Sequence, residues 1–156
     1  MIEMRDMRKS NRLLSDEKVQ VILDNTLYGV LSLVGPEGPY GVPLSYVYVE
    51  NCIYFHAAKV GHKLDCIDFE KRASFCAVTD VETMPAHFTT KYKSVIAFGK
   101  MAMVDDESER NSAFCALVKK YSPEFIAAGE EYMKKGAMAA VIFKLNVESM
   151  AGKGRE

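Results

Sequence analysis

Hydrophobic positions near the start of the chain are spaced as in an α-helix. Val19, Ile22 and Leu23 recur at i, i+3 and i+4. Ser15, just before them, suits a helix N-cap. We therefore predict a short helix that ends near residue 25. Residues 1–14 are polar and basic without a sustained period, and we expect them to form an arm.

From residue 28 the pattern becomes that of strands. YGVLSLV and YGVPLSYVYV flank the turn-forming GPEGP at 35–39, which predicts a hairpin, and CIYFHA at 52–57 follows a second tight connection. Further strands are predicted at 73–79, at about 91–104 and at 137–147. Helical segments are predicted after residue 61, after the acidic run 105–109 and over 125–135, and the final SMAGKGRE is expected to be coil.

The order of these elements favours one mainly β domain. Six strands joined mostly by short loops do not fit the regular alternation of a doubly wound parallel sheet. A closed or nearly closed antiparallel barrel flanked by helices fits better. We place this domain at 15–150, between the arm at 1–14 and a C-terminal tail at 151–156.

Charge and composition exclude several classes of function. Lys and Arg number 20 against 21 Asp and Glu, so the basic surface expected of a nucleic-acid-binding protein is absent. No apolar run approaches the roughly 18 residues of a membrane span, and the N-terminus lacks the apolar core of a signal peptide. A cytoplasmic protein without nucleic-acid or membrane partners is expected. Its four cysteines are expected to be reduced and mostly buried, with Cys66 and Cys76 in the core.

The chain offers little for metal or acyl-transfer chemistry. Its three histidines, His56, His62 and His87, lack the further ligands of a compact metal site, and no metal is expected. The sequence also contains no G-x-S-x-G, P-loop or G-x-G-x-x-G motif.

The most informative segment is YFHAAKVGHKLDCI at 54–67. A strand ends near His56, Lys59 lies in the loop, and Gly61, His62 and Lys63 stand where a helix begins. Free backbone N–H groups, an imidazole and an ammonium at a helix N-terminus together suit a phosphate group. By itself the same segment also fits an ordinary solvated helix cap.

Longer matches surround this segment. GPYGVPLSYVYV at 38–49, IYFHAAKVGHKLDCI at 53–67, SFCAV at 74–78 and FTTKYKSVIAFGK at 88–100 occur in that order. Over roughly residues 5–153 the chain resembles the nitroimidazole-resistance (Nim-type) branch of the pyridoxamine 5′-phosphate oxidase-like flavoproteins. The resemblance implies a six-stranded antiparallel split β-barrel of the FMN-binding type. It also implies a homodimer that binds flavin, usually FMN with FAD as an alternative, at its interface.

The resemblance also implies roles for individual residues. Strand backbone near the flavin ring would come from Pro43, Leu44 and Ser45, and the phosphate-binding positions are His62 and Lys63, where related oxidases tend to have Arg-Lys. The full set of implied flavin contacts is Pro43, Leu44, Ser45, His56, Ala57, Lys59, Gly61, His62, Lys63, Tyr92 and Ser94. Phe88 is a weaker candidate. Lys153 is either a phosphate or interface cation or an ordinary surface lysine.

His56 is the implied catalytic residue. The resemblance places it beside the flavin, where an imidazole could donate a proton to a nitro or carbonyl oxygen. The alternative is a histidine that only satisfies a strand end, and Tyr92 equally fits core or interface packing. The function expected is a flavin-dependent oxidoreductase that reduces small nitro-aromatic or related acceptors. The alternatives are a pyridoxamine 5′-phosphate oxidase-like enzyme and a non-catalytic flavin- or haem-binding protein.

Overall fold

A computed structural model describes residues 3–136 and 140–155. Its helices are α1 (Asp16–Asn25), α2 (His62–Phe69), α3 (Glu107–Tyr121) and α4 (Ile126–Gly136). Its strands are β1 (Gly29–Gly35), β2 (Gly38–Leu44), β3 (Val47–Val49), β4 (Cys52–Ala58), β5 (Arg72–Met84), β6 (Thr89–Met103) and β7 (Ala140–Arg155). The predicted helices are all confirmed. Within the described ranges no helix is long and apolar enough to cross a membrane.

The strands form one antiparallel sheet in the order β2-β1-β5-β6-β7-β4-β3. It has seven strands, so the expected count of six was wrong. The predicted strand at 40–49 is divided at Ser45-Tyr46, and its two parts lie at opposite edges of the sheet. Because only two residues join these edges, the sheet must curl until they approach each other. Among the residues that the structure describes, no ladder joins the two edges, so the sheet is an open barrel rather than a closed one.

The inner face of the curled sheet holds the main core. Large side chains from several strands are completely buried there: Leu31, Leu33, Ile53, Phe55, Phe75, Val95, Phe143 and Leu145. Helix α1 contributes Val19, Ile22 and Leu23 to the same cluster. Aromatic rings make part of the contact, since Phe55 stacks on Phe143 with centroids 5.2 Å apart. The residues whose i, i+3, i+4 spacing predicted α1 are therefore the ones that it buries.

Helix α3 covers part of the outer face. Ala113, Phe114 and Leu117 pack against β3, β4 and the first half of β7 in a second cluster. At its edge, the Tyr54 hydroxyl donates to Glu109 Oε1 at 2.7 Å, and Lys144 Nζ bonds the same oxygen at 2.5 Å. These bonds lower the pKa of Glu109, with that of Lys144 as the largest cause. Burial, more than the contact with Glu109, raises the pKa of Tyr54.

The last strand extends to Arg155, so the expected coil at the C-terminus was wrong. Gly152 and Gly154 are buried beneath the arm and α1. A Cβ at residue 152 would lie 2.5 Å from Val19 Cγ2, and one at residue 154 would lie 3.0 Å from Leu14 Cδ2. The glycines therefore allow close packing of this strand rather than ending it. Residues 137–139 of the predicted last strand lie outside the described residues.

The cysteine prediction was only partly right. Among the four cysteines, Cys66 is buried in the core, and Cys52, Cys76 and Cys115 are half-buried free thiols. Cys76 lies on the outer face of β5, directly opposite Ile96 of β6. The prediction that Cys76 lies in the core was therefore wrong. An apolar residue on a strand can also belong to the outer face of the sheet.

Candidate functional site

Strand β2 forms one side of the candidate site. It is an edge strand, paired only with β1. A proline in a sheet has no N–H to give to a ladder and is accepted where that position faces away from the neighbouring strand. Pro39 and Pro43 occupy such outward-facing positions on β2, each two residues from Gly41. The backbone of these exposed residues is thereby available along the free edge.

The second half of β4 forms the other side. The short strand β3 pairs with β4 only from Cys52 to Tyr54, whereas β7 pairs with β4 along its whole length. Residues 55–58 consequently have a strand on one side only. We call the gap between β2 and residues 55–58 of β4 the seam. His56 is exposed beside it, and Ala57 is half-buried against the core.

Helix α2 begins at the end of the seam. Gly61 is its N-cap, with a φ of 148° that side-chain-bearing residues rarely adopt. Its carbonyl accepts the amides of Leu64 and Asp65, at 3.0 and 3.2 Å. The first two amides of the helix, those of His62 and Lys63, have no acceptor among the described residues. This end of α2 therefore offers two free N–H donors and the positive end of a helix dipole.

The side chain of His62 lies against the turn that precedes β2. Its ring meets the ring of Tyr40 edge-on with centroids 4.6 Å apart, and its Nε2 is 4.0 Å from Glu37 Oε2. The Cys66 thiol lies 3.6 Å from the same nitrogen, and burial raises the pKa of that thiol. These contacts connect α2 to β2, so the phosphate-suited helix start and the free strand edge belong to one site.

A cavity of about 360 Å³ lies at the opposite end of the seam. Ser45 and His56 both line it, which brings together two residues predicted from separate strands. The rest of its wall is largely apolar and comes mainly from α3 and α4: Phe114, Leu117, Val118, Tyr121, Ser122, Tyr132, Met133 and Ala140. Its size is that of a small-molecule pocket.

Tyr92 and Ser94 lie elsewhere in the same chain. Ser94 stands opposite Lys153 of β7 and His56 opposite Ile142, positions 11 residues apart that correspond to roughly 36 Å of extended strand. Ser94 Oγ donates to the Lys153 carbonyl at 3.4 Å. One chain therefore does not bring these two residues to its own seam. Lys59 is exposed in the loop before α2, and Phe88 is 97% exposed at the β5–β6 turn.

Sequence reasoning missed the helical wall of the cavity. The helix after 105–109 was predicted, but not its part in a cavity: Phe114, Leu117 and Tyr121 pack in the outer cluster and also face Ser45 and His56. The signal that could have found them is Tyr121, a hydroxyl-bearing residue at the end of an apolar stripe. It lies immediately before the helix-ending Ser122-Pro123.

Comparisons with known proteins agree with this architecture. The family model described as pyridoxamine 5′-phosphate oxidase matches residues 15–154. Among curated proteins, none matches the sequence.

Several solved structures share the fold at low sequence identity. One, described as a candidate 5-nitroimidazole antibiotic resistance protein from Bacteroides thetaiotaomicron, is 17% identical with a TM-score of 0.73, over 92% of this chain and 90% of that one. A FAD-binding protein from Mesorhizobium loti is 19% identical with a TM-score of 0.68, over 93% and 98%. A flavocytochrome from Azotobacter vinelandii is 17% identical with a TM-score of 0.78, over 97% and 72%.

These identities support the shared fold alone, whereas the family match covers nearly the whole described domain. The match and the curled antiparallel sheet lead to the same assignment. The chain belongs to the pyridoxamine 5′-phosphate oxidase-like family.

Proposed function

We propose that this protein is a flavin-dependent oxidoreductase that binds FMN or FAD along the seam and reduces a small acceptor, such as a nitro-aromatic compound. The observation that carries the proposal is the convergence of two unpaired strand edges and the free amides of α2 on one gap. A flat ring with polar atoms at its rim and a phosphate at its tail needs these two kinds of contact.

The residues present fit such a cofactor. Backbone groups of Pro43, Leu44 and Ser45 would hold the ring, and Ala57 leaves room on the other side of the seam. The amides and side chains of His62 and Lys63 would hold the phosphate. Because the Glu37 carboxylate is 4.0 Å from the His62 imidazole, the Lys63 charge is needed to favour an anion there. A bound flavin would supply the hydride or electron transfer that the chain's own side chains do not offer.

The cavity beside Ser45 and His56 would hold the acceptor. Its apolar wall from α3 and α4 suits an aromatic compound and excludes water. The His56 imidazole can donate a proton to an acceptor oxygen that gains negative charge, and Ser45 can orient the acceptor by a hydrogen bond. His56 is therefore the catalytic residue of the proposal.

The proposal includes a homodimer. One row of apolar residues crosses five strands on the outer face of the sheet: Pro43, Val30, Cys76, Ile96 and Ala151. Val30 is 37% and Ile96 41% exposed, although both belong to the middle of a sheet. A second copy placed on this row would cover it. The same copy would account for Tyr92 and Ser94, since they lie on this face and far from their own seam.

Two proteins of the same fold support the cofactor. The Mesorhizobium loti protein is described as FAD-binding, and another protein of the same fold, from Mycobacterium smegmatis, is described as binding FAD and haem. The absorption spectrum of the purified protein tests the proposal directly. Flavin bands in the blue and near-ultraviolet are expected. A Soret band without flavin bands, or a protein that stays colourless after incubation with FMN and with FAD, would contradict it.

A further inference from the structure

Cationic side chains gather where the N-terminal arm meets the end of β7. They are Arg8, Lys9, Arg12, Lys153 and Arg155, and we call them the arm cluster. The arm is fixed there by backbone contacts. Leu13 pairs with Lys153 in an antiparallel bridge, and the Leu14 amide donates to the Gly152 carbonyl at 3.0 Å. The cluster is therefore part of the fold and not a chance approach of loose side chains.

A cavity of about 450 Å³ opens between the arm and β7. Its lining is mostly polar and is supplied by Asn11, Arg12, Leu13, Leu14, Lys18, Gly154 and Arg155. Arg12 and Arg155 are both half-buried in its wall. A concave, polar, cationic surface suits a compact anion, whereas the apolar cavity beside His56 suits a ring.

The arm cluster forms no ion pair within the part of the chain that the structure describes. Among the described residues, none of the five cations has a carboxylate within 4.0 Å. Arg155 Nη1 donates instead to the Thr89 hydroxyl at 2.5 Å. The repulsion is visible at Lys9, where first Arg12 and then Arg8 lower the pKa, and Arg155 and Lys153 add to the effect.

Such a concentration of charge is unusual in a chain whose net charge is -1. Like charges held together by the backbone without acidic partners raise the local positive potential, and an anion of high charge density relieves it. Arginine adds the planar fork that binds phosphate oxygens in pairs. Two arginines on one cavity, with Lys18 in the same wall, match two adjacent phosphate groups better than one.

We propose that the arm cluster is a binding site for a diphosphate group, either free or carried by a nucleotide. The site shares no residue with the seam of its own chain, but Lys153 and Arg155 stand opposite Ser94 and Tyr92, which the proposed dimer assigns to the partner's seam, so to that extent the inference rests on the proposed function. A nucleic acid is disfavoured because the arm cluster is a single local group of cations on a chain without net positive charge.

Calorimetric titration at constant ionic strength tests the site. Inorganic pyrophosphate, sulfate, ADP, NADPH and a short DNA duplex are added to the full chain in parallel. Pyrophosphate is expected to bind, and Arg12→Gln/Arg155→Gln is expected to weaken it at least tenfold. Lys134→Gln/Lys135→Gln on α4 removes the same charge elsewhere and should change the dissociation constant by less than twofold.

The titrations with ADP and NADPH identify the source of the diphosphate. Tighter binding of ADP or NADPH than of pyrophosphate assigns the site to a nucleotide, and equal binding assigns it to the diphosphate alone. If the double arginine variant does not fold, Lys9→Gln/Lys153→Gln, which removes two charges of the arm cluster outside the cavity lining, is expected to weaken binding about threefold or more. The inference is wrong if pyrophosphate binds no better than sulfate, if DNA binds more tightly than every small anion, or if the α4 variant weakens binding as much as the cluster variants.

Discussion

The hydroxyl of Tyr121 hydrogen-bonds to the backbone of Tyr46, where the chain crosses from β2 at one edge of the sheet to β3 at the other. It accepts the Tyr46 amide at 2.9 Å and lies 3.0 Å from the Tyr46 carbonyl and 2.7 Å from that of Leu27. Tyr46 itself is fully buried, and its hydroxyl donates to the Leu23 carbonyl at 2.8 Å. Helix α3 thus holds the crossover that places Ser45 in the cavity.

Tyr121→Phe should destabilise the protein by about 1–3 kcal/mol, because it leaves buried backbone groups of the crossover without a partner. The free energy of unfolding from a urea titration measures the loss. Tyr132→Phe is the control, since Tyr132 lies on α4 and is 71% exposed. Equal stability of the two variants would show that the crossover is held by packing alone.

Glu109→Gln should lower the unfolding free energy at pH 7 by about 1–3 kcal/mol, since it removes the anion that pairs with the mostly buried Lys144. The folded-state pKa of Glu109 lies below its ordinary value of 4.5. Its contribution is therefore complete above pH 4.5 and is lost as the pH falls through the folded-state pKa. The difference between variant and wild type should shrink over that acidic range.

The control for this pH dependence is Glu131→Gln, which removes an exposed pair with Lys134 on α4. Its effect at pH 7 should be less than about 1 kcal/mol. A Glu109→Gln difference that stays constant down to pH 2.5 would mean that the carboxylate charge makes no contribution.

Some elements of the fold are determined by neighbouring residues and others by distant contacts. Helix α1 and the start of α2 follow from short-range signals, namely the i, i+3, i+4 spacing after Ser15 and the glycine before His62. The break at Ser45-Tyr46 does not, because 40–49 is an unbroken strand pattern and the contact that divides it comes from Tyr121, 75 residues away. Likewise, Gly152 in the sequence predicts coil, whereas in the structure it lies in a strand where Val19 packs closely against it.

The candidate site divides in the same way. The residues of the seam were predicted, and their adjacency depends on β3 being too short to cover the second half of β4. The distance between Ser94 and His56 depends on the register of β7 with two neighbours. The alternation of apolar and polar residues does not determine the pairing register of these strands. Both faces of β6 carry apolar residues, so the pattern does not distinguish the inner face from the outer one.

His56→Gln should leave the flavin content unchanged and slow the reoxidation of the reduced protein by a nitroimidazole roughly 10²- to 10⁴-fold, because the proton donor is lost. Anaerobic stopped-flow absorbance after reduction with dithionite measures this rate and needs no assumption about the physiological electron donor. His87→Gln, at an exposed turn, should react at the wild-type rate. An unchanged rate in His56→Gln at every pH would leave this residue with an orienting role.

Ile96→Glu should separate the proposed dimer, because it buries a charge in the middle of the apolar row. Light scattering after size exclusion should give twice the chain mass of 17.4 kDa for the wild type and the chain mass itself for the variant. Phe125→Glu, 65% exposed and away from the row, should remain dimeric. A wild-type monomer that retains flavin would contradict the shared-site arrangement.

In the proposed function, the seam holds a flavin whose phosphate lies at the start of α2. The most direct measurement is the flavin content per chain of the purified protein after incubation with FMN or FAD and removal of the excess, compared between wild type and His62→Ala/Lys63→Ala. We expect one flavin per wild-type chain and almost none in the variant, with equal thermal stability of the two apoproteins. His87→Ala/Lys71→Ala, which removes the same residue types from exposed positions, should bind like the wild type. Full flavin occupancy in the His62→Ala/Lys63→Ala protein would contradict it.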